Sequence, residues 1–208
     1  MAPKKRIPAK RKSNKTMYLA VGIITILVIS IGVYLAVANQ PAATPETIPP
    51  TKVLLQTTAG NITIDLRTDK PITSGNFINL VKEGKYDGVT FYRTAASFVI
   101  QGGPSTDNTP TIKDEIGSNN RNSPYTIAMA KTSQPNSATS QFFINLADNG
   151  IINAPSFDKT YAVFGTVILG KDVVDAIANA PATENPNIHG EISLPVNPVT
   201  IIKASIVP

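Results

Sequence analysis

Three short segments of this sequence carry side chains that could do chemistry. The first contains Arg93, the second contains Gln101, and the third contains Gln141 followed by two phenylalanines. None of them supplies a nucleophile with a partner base. A fixed arginine, two amides and large apolar side chains suit a reaction in which no covalent bond is broken, such as rotation about a prolyl peptide bond.

The composition argues against several other classes of chemistry. The single histidine, His189, lies in a loop rich in proline and asparagine, and neither an HExxH sequence nor a Ser-His-Asp spacing accompanies it. The chain has no cysteine, which excludes disulfides, thiolate chemistry and cysteine-containing zinc sites. We therefore expect neither a hydrolase nor a metal site.

The basic charge is concentrated at the N-terminus. The formal net charge is +5, from 19 Lys and Arg against 14 Asp and Glu, and seven of the basic residues lie in residues 1–16, which contain no acid. In the remainder of the chain the acidic residues outnumber the basic ones, and no basic stripe interleaved with aromatic residues follows. We therefore expect no nucleic-acid binding.

Residues 17–38 form an uncharged apolar run. A helix of this length spans the hydrocarbon layer of about 30 Å. Because the basic residues 1–16 precede it, the positive-inside rule predicts a single-pass membrane anchor with a cytoplasmic N-terminus and an extracytoplasmic catalytic domain. The small residues Ala36 and Ala38 also fit a signal-peptidase site, so a protein secreted after cleavage near Ala38 is the alternative.

The remaining sequence divides into a linker and one domain. Residues 39–50 contain four prolines and predict an extended spacer. Residues 51–208 combine short β-type runs with two helical segments, 71–84 and 171–179. The strands are expected near 53–58, 62–67, 89–93, 98–101, 125–130, 141–145, 162–167 and 198–207. This pattern predicts a mainly β domain, a closed antiparallel barrel capped at its ends.

Four segments, FYR, FVIQGG, TIAMAKTSQPNSATSQFFINLADN and YAVFG, resemble those of the cyclophilins, the peptidyl-prolyl cis-trans isomerases, and particularly the bacterial-type members. The resemblance covers most of residues 51–208. It implies an eight-stranded antiparallel barrel with two capping helices and an isomerase that assists the folding of exported proteins without a cofactor. Its partners would be proline-containing segments of unfolded or exported proteins. Nothing in the sequence indicates an oligomer, and we expect a monomer.

The resemblance also implies roles for individual residues. Arg93 takes the catalytic position, where its guanidinium would hydrogen-bond to the prolyl nitrogen as that atom becomes pyramidal. The substrate-binding positions are Phe98, Gln101, Met129, Ala130, Gln141, Phe143, Phe157 and Tyr161. An Arg93 that pointed away from any groove, or that was locked in a buried ion pair with an acid, would contradict the catalytic assignment.

Several positions depart from the family pattern. Tyr92 replaces a histidine that often precedes the arginine, and Lys131 stands where eukaryotic members have asparagine. Ser156 occupies the tryptophan position linked to cyclosporin binding, so we expect that binding to be weak. Asn61 begins an N-glycosylation sequon in a turn.

The alternative function is a non-catalytic chaperone module that binds proline-containing segments without turnover.

Overall fold

The structure is a computed structural model that describes residues 47–104, 108–152 and 156–208. The predicted basic arm, the predicted transmembrane helix and most of the predicted linker lie outside the described residues. Within the described ranges, no helix has both the length and the apolar character needed to cross a membrane.

The described chain contains ten strands, three α-helices and one 3-10 helix. The strands are β1 (Thr51–Thr57), β2 (Gly60–Leu66), β3 (Phe91–Ala95), β4 (Val99–Gly102), β5 (Thr126–Met129), β6 (Phe142–Asn145), β7 (Val163–Leu169), β8 (Ala182–Glu184), β9 (Ile192–Pro195) and β10 (Ile201–Val207). The helices are α1 (Pro71–Lys82), α2 (Asn149–Ile152) and α3 (Lys171–Ala178), and the 3-10 helix covers Phe157–Lys159. Every predicted strand and both predicted helices are present, with bounds shifted by at most three residues.

Eight of the strands form one curled antiparallel sheet in the order β10-β1-β2-β7-β5-β6-β4-β3. The prediction of a closed barrel is wrong for the strand ladder, since β10 and β3 are its two edges. The two edges approach each other where these strands begin, through residues 88–91 and 199–201. They form an isolated bridge between Thr90 and Thr200, flanked by a hydrogen bond from the Phe91 amide to the Val199 carbonyl at 2.9 Å. The sheet is therefore a curled half-barrel rather than a fully paired cylinder.

Successive side chains of β4, β5, β6 and β7 point to opposite faces of the sheet and so pack into two separate apolar clusters. The main core contains the inward-facing residues of these strands together with side chains of α1 and α3. The second cluster, on the opposite face, is built on Val99, Ala128, Phe143 and Val163. These four strands are thus buried on both faces.

A short hairpin of β8 and β9 forms a separate two-stranded sheet that the sequence pattern did not predict. In β9 the apolar residues Ile192 and Leu194 are exposed, whereas Ser193 is fully buried. This burial pattern is the reverse of the usual alternation, with apolar side chains outside and a polar one inside. Hydrophobic periodicity therefore gives no signal for this element.

Candidate active site

Cross-strand pairing assembles a row of outward-facing residues on the second cluster. Arg93 of β3 is paired with Gln101 of β4, and Gln101 is paired in turn with Phe143 of β6. Phe143 is also paired with Ala128 of β5, and Ala128 with Val163 of β7. Because side chains of directly paired residues lie on the same face of a sheet, the register alone places the arginine, the glutamine and the phenylalanine side by side.

A β-bulge adjusts the first strand of this row. The register between β3 and β4 shifts between Phe91 and Arg93, which leaves Tyr92 as an extra residue. Phe91 faces the main core, while both Tyr92 and Arg93 hydrogen-bond to Gln101 on the outer side. A bulge of this kind re-aims side chains next to functional sites. Here it brings two consecutive residues to the same face.

The row opens into a pocket of about 160 Å³. Its lining combines one arginine, one lysine and one glutamine with aromatic and small apolar residues: Arg93, Phe98, Val99, Gln101, Ala130, Lys131, Phe143, Phe157 and Tyr161. The aromatic walls meet edge to face, with ring centroids 5.3 Å apart for Phe143 and Tyr161 and 5.7 Å apart for Phe98 and Phe157. The pocket therefore has aromatic walls with the Arg93 guanidinium beside them.

The guanidinium of Arg93 lies 5.3 Å from the ring centroid of Phe98 and donates from Nη1 to Oε1 of Gln101 at 3.2 Å. It also forms an ion pair with Glu191: Nε donates to Oε1 at 2.7 Å and Nη2 donates to Oε2 at 2.6 Å. The two side chains are 16% and 23% exposed. The arginine therefore faces the pocket and, at the same time, is held by a partly exposed acid.

The charge on Glu191 is stabilised in this arrangement. The hydrogen bond from Arg93 lowers the pKa of the Glu191 carboxyl, and a hydrogen bond involving Ser193 adds to that effect, while partial burial opposes it. The carboxylate therefore stays ionised below the usual pH range for glutamate, and the ion pair is intact at neutral pH.

The two glutamines belong to one chain of hydrogen bonds. Nε2 of Gln101 donates to the Tyr92 hydroxyl at 2.6 Å, and that hydroxyl donates to Oε1 of Gln141 at 2.7 Å. Nε2 of Gln141 ends the chain on the Pro104 carbonyl at 3.1 Å. Burial raises the pKa of Tyr92, so its hydroxyl keeps the proton it donates. The chain fixes the orientation of Gln101, whose oxygen accepts from the arginine.

Gly103 lets the backbone after β4 pass close to the backbone of Gln141. Its φ of +113° lies in a region that favours glycine, and a Cβ added there would be 2.9 Å from the Cα of Gln141. The second glycine of the FVIQGG segment therefore lets the chain after β4 pass directly beside Gln141.

The structure brings most of the predicted site residues together. Seven of the nine line the pocket: Arg93, Phe98, Gln101, Ala130, Phe143, Phe157 and Tyr161. Gln141 lies beside it and lines an adjoining depression that shares Gln101 and Ala130. Met129 does not join them, because it is paired with Phe142 and is buried in the main core at 1% exposure.

Sequence reasoning did not single out two residues that the structure places in the arginine's network. Tyr92 was identified only as a departure from the family pattern, and its position in the amide chain depends on the bulge. Glu191 lies 98 residues after Arg93 and follows a loop without helical or strand periodicity. No local signal in the sequence could have paired the two. Ser156 is exposed and does not line the pocket.

The described residues contain no group of three or more His, Cys, Asp or Glu side chains that could hold a metal ion. The second cationic group at the pocket, Lys131, forms an ion pair with Asp114 at 3.3 Å and donates to the Gln134 carbonyl at 3.0 Å. Both cationic side chains that line the pocket, Arg93 and Lys131, therefore have an acidic partner.

A model of the family described as "Cyclophilin type peptidyl-prolyl cis-trans isomerase/CLD" matches residues 52–206. The chain belongs to this cyclophilin family. A peptidyl-prolyl cis-trans isomerase of Acinetobacter baylyi is 46% identical to this cyclophilin over 163 residues, which cover 75% of this chain and 85% of that relative. Another isomerase, from Streptomyces antibioticus, is 42% identical over 164 residues, with 74% and 97% covered. The chain is therefore a peptidyl-prolyl cis-trans isomerase, as the sequence resemblance implied.

Solved structures support the fold of this cyclophilin. A cyclophilin type peptidyl-prolyl cis-trans isomerase of Cryptosporidium parvum superposes with a TM-score of 0.67 at 23% sequence identity, covering 77% of this chain and 99% of that one. The same isomerase in the presence of the dipeptide Ala-Pro gives a TM-score of 0.65 at 24% identity. The curled eight-stranded sheet with its helices is thus the cyclophilin architecture.

Proposed function

We propose that this cyclophilin isomerises X-Pro bonds in exported proteins, with Arg93 stabilising the twisted transition state. The observation that carries this proposal is a guanidinium at the rim of an aromatic slot, next to an oriented glutamine. The slot holds the proline ring, and the arginine acts on the bond beside that ring.

The mechanism follows from the origin of the rotational barrier. The nitrogen of a peptide bond shares its lone pair with the carbonyl, and this conjugation gives a barrier of about 18–20 kcal/mol. When the bond twists, the lone pair returns to the nitrogen, which becomes pyramidal and can accept a hydrogen bond. A donor placed at that nitrogen binds the twisted state more strongly than either planar isomer, so it lowers the barrier.

Arg93 is suited to this role because a guanidinium is planar and presents its N–H donors in a rigid fork. The cation–π contact with the Phe98 ring and the hydrogen bond to Gln101 keep that plane in place. The apolar residues Phe143, Phe157 and Tyr161 immobilise the proline ring, so that rotation occurs in the part of the peptide on the other side of the bond. No covalent intermediate and no cofactor take part.

The substrate we propose is an extended proline-containing segment of an unfolded protein. The Cryptosporidium parvum isomerase has been solved in the presence of the dipeptide Ala-Pro, which is consistent with recognition centred on the proline itself. The depression beside the pocket, lined by Gln101, Ala130, Lys131, Thr132 and Gln141 among others, gives room for residues that precede the proline.

The decisive test is the substitution Arg93→Ala in the full-length protein. We expect kcat/KM for cis-trans exchange of an X-Pro peptide, measured by NMR exchange spectroscopy, to fall by about 10²–10³-fold, the usual effect of removing one transition-state donor. The matched control is Arg121→Ala, which removes another ion-paired arginine, one that pairs with Asp158 at 3.5 Å and is 68% exposed. An exchange rate in Arg93→Ala equal to that of the control would refute the mechanism.

We further propose that residues 17–38 anchor the isomerase in a membrane, with the catalytic domain on the outer side. The uncharged run and the basic residues before it support this topology. Cell fractionation tests it: the full-length chain should stay with membranes after a high-salt wash and be released by detergent. Recovery of a shortened chain from the medium would instead support cleavage near Ala38.

A further inference from the structure

The hairpin of β8 and β9 brings an acid to the arginine of the active site. Strand β9 lies against β3, the strand that carries Arg93. Glu191 is the residue directly before β9, and its two carboxylate oxygens each accept one hydrogen bond from the guanidinium, at 2.7 Å and 2.6 Å. A parallel pair of charge-assisted hydrogen bonds is both the strongest and the most directional contact that an arginine makes.

Glu191 stands on a closed turn. Its amide donates to the Ile188 carbonyl at 3.1 Å, and its carbonyl accepts from the Asn185 amide at 2.8 Å. Asn185 is buried and donates through Nδ2 to the hydroxyl of fully buried Ser193 at 3.0 Å. The backbone on both sides of the carboxylate is therefore fixed, and the carboxylate can serve as an anchor for another side chain.

The ion pair leaves the guanidinium with free donors. An arginine carries one N–H on Nε and two on each Nη. Glu191 takes Nε and one hydrogen of Nη2, and Gln101 takes one hydrogen of Nη1. Among the contacts of the described residues, one donor on Nη1 and one on Nη2 remain. These two lie on the terminal nitrogens, away from the Nε edge that the acid occupies.

We propose that Glu191 is a positioning residue for isomerisation, which holds Arg93 so that its remaining Nη donors meet the prolyl nitrogen. This inference rests on the proposed function of Arg93. A long arginine side chain has many rotamers. If it had to be ordered in each turnover, the entropy lost would offset part of the free energy by which it stabilises the transition state. Because Glu191 and Gln101 both hydrogen-bond to it, the guanidinium is ordered before the substrate arrives.

The location of Glu191 argues against competition between the acid and the substrate. Glu191 is not among the residues that line the pocket, whereas Arg93 is. The carboxylate therefore lies outside the lining of the slot, which stays open for the proline ring. If Glu191 competed with the substrate for the arginine, its removal would raise activity; as a positioning residue, its removal lowers activity.

The experiment compares Glu191→Ala and Glu191→Gln with Glu184→Ala in the full-length protein. We expect Glu191→Ala to lower kcat/KM for an X-Pro peptide by about 10–100-fold, the effect of a small misplacement of a catalytic group, with the loss mainly in kcat. Glu191→Gln keeps the shape of the side chain and one acceptor, so it should recover part of the rate even if the alanine variant folds poorly. Glu184 is an exposed acid of the same hairpin, and its substitution should leave the rate unchanged.

A double-mutant cycle with Arg93→Ala separates positioning from a merely structural role. If Glu191 acts through Arg93, Glu191→Ala causes no further loss in the Arg93→Ala background, and the NMR signal of the Arg93 Nε–H group, sharp in the wild type, broadens in Glu191→Ala. An unchanged or raised rate in Glu191→Ala, or an equal loss in both backgrounds, would overturn the inference while leaving the role of Arg93 intact. A wild-type rate in Arg93→Ala would overturn both.

Discussion

Phe142 and Phe143 are neighbours in strand β6, yet their rings enter different apolar clusters. Phe142 is fully buried and meets the rings of Phe77, Tyr86 and Phe91, all in the main core. Phe143 meets Phe157 and Tyr161, which are only partly buried and line the pocket.

The difference between the two clusters lies in what closes them. The main core is surrounded by the curled sheet and by helices α1 and α3, so each side chain gains its full burial on folding. The outer cluster lacks a cover on one side, and that side is the pocket. Substitutions in the main core should therefore lower stability, and substitutions in the outer cluster should lower activity.

The largest effect on stability is expected from Phe142→Ala. Removing a fully buried ring leaves a cavity among three other rings, and we expect the free energy of unfolding to fall by about 3–5 kcal/mol. Urea denaturation followed by circular dichroism measures this loss. The molecules that remain folded should keep their kcat/KM, because Phe142 does not line the pocket; a large fall in activity at undiminished stability would abolish the distinction between the two clusters.

A smaller and different effect is expected from Phe157→Ala. The substitution opens one wall of the pocket, so it removes apolar contact with the proline ring and should raise KM about tenfold, which corresponds to about 1.4 kcal/mol. Steady-state isomerisation assays over a range of peptide concentrations give this value. Stability should fall less than in Phe142→Ala, because the ring is partly exposed before any substrate binds. An equal loss of stability in both variants would contradict the comparison.

The smallest expected effect is a pH dependence of the stability that the Arg93–Glu191 ion pair, beside the outer cluster, contributes. Since the hydrogen bond from Arg93 lowers the pKa of Glu191, the carboxylate stays charged in the folded protein at a pH where the unfolded chain is already protonated. Its contribution to stability is therefore present above the ordinary glutamate range and is lost as the pH falls through the lowered value.

Denaturation of wild type and Glu191→Gln at about pH 6 and about pH 3 measures this contribution. The difference in unfolding free energy between the two proteins should shrink at the lower pH. The difference between wild type and Phe142→Ala is the control, and it should stay constant because no ionisable group is removed. A Glu191→Gln difference that did not change with pH would mean that the ion pair adds nothing to folding.

Much of the architecture and of the site could be predicted from local patterns. Arg93, Gln101 and Phe143 were predicted together because their segments resemble family motifs, and period-two alternation is the reason that the fold keeps them on one face. Met129 shows the limit of that approach. It is adjacent to Ala130 in sequence and was assigned to the pocket, but the alternation of β5 turns its side chain into the main core.

The sequence by itself determined the eight strands of the main sheet, the two longer helices, the family and the candidate catalytic arginine, since these depend on periodicity and on short contiguous motifs. Only the tertiary structure decided which acid holds that arginine. The contact between Arg93 and Glu191 joins residues 98 positions apart, through a hairpin whose exposed apolar and buried polar residues invert the usual pattern. The bulge at Tyr92 and the open edge of the curled sheet are likewise features of strand pairing, which local propensity does not specify.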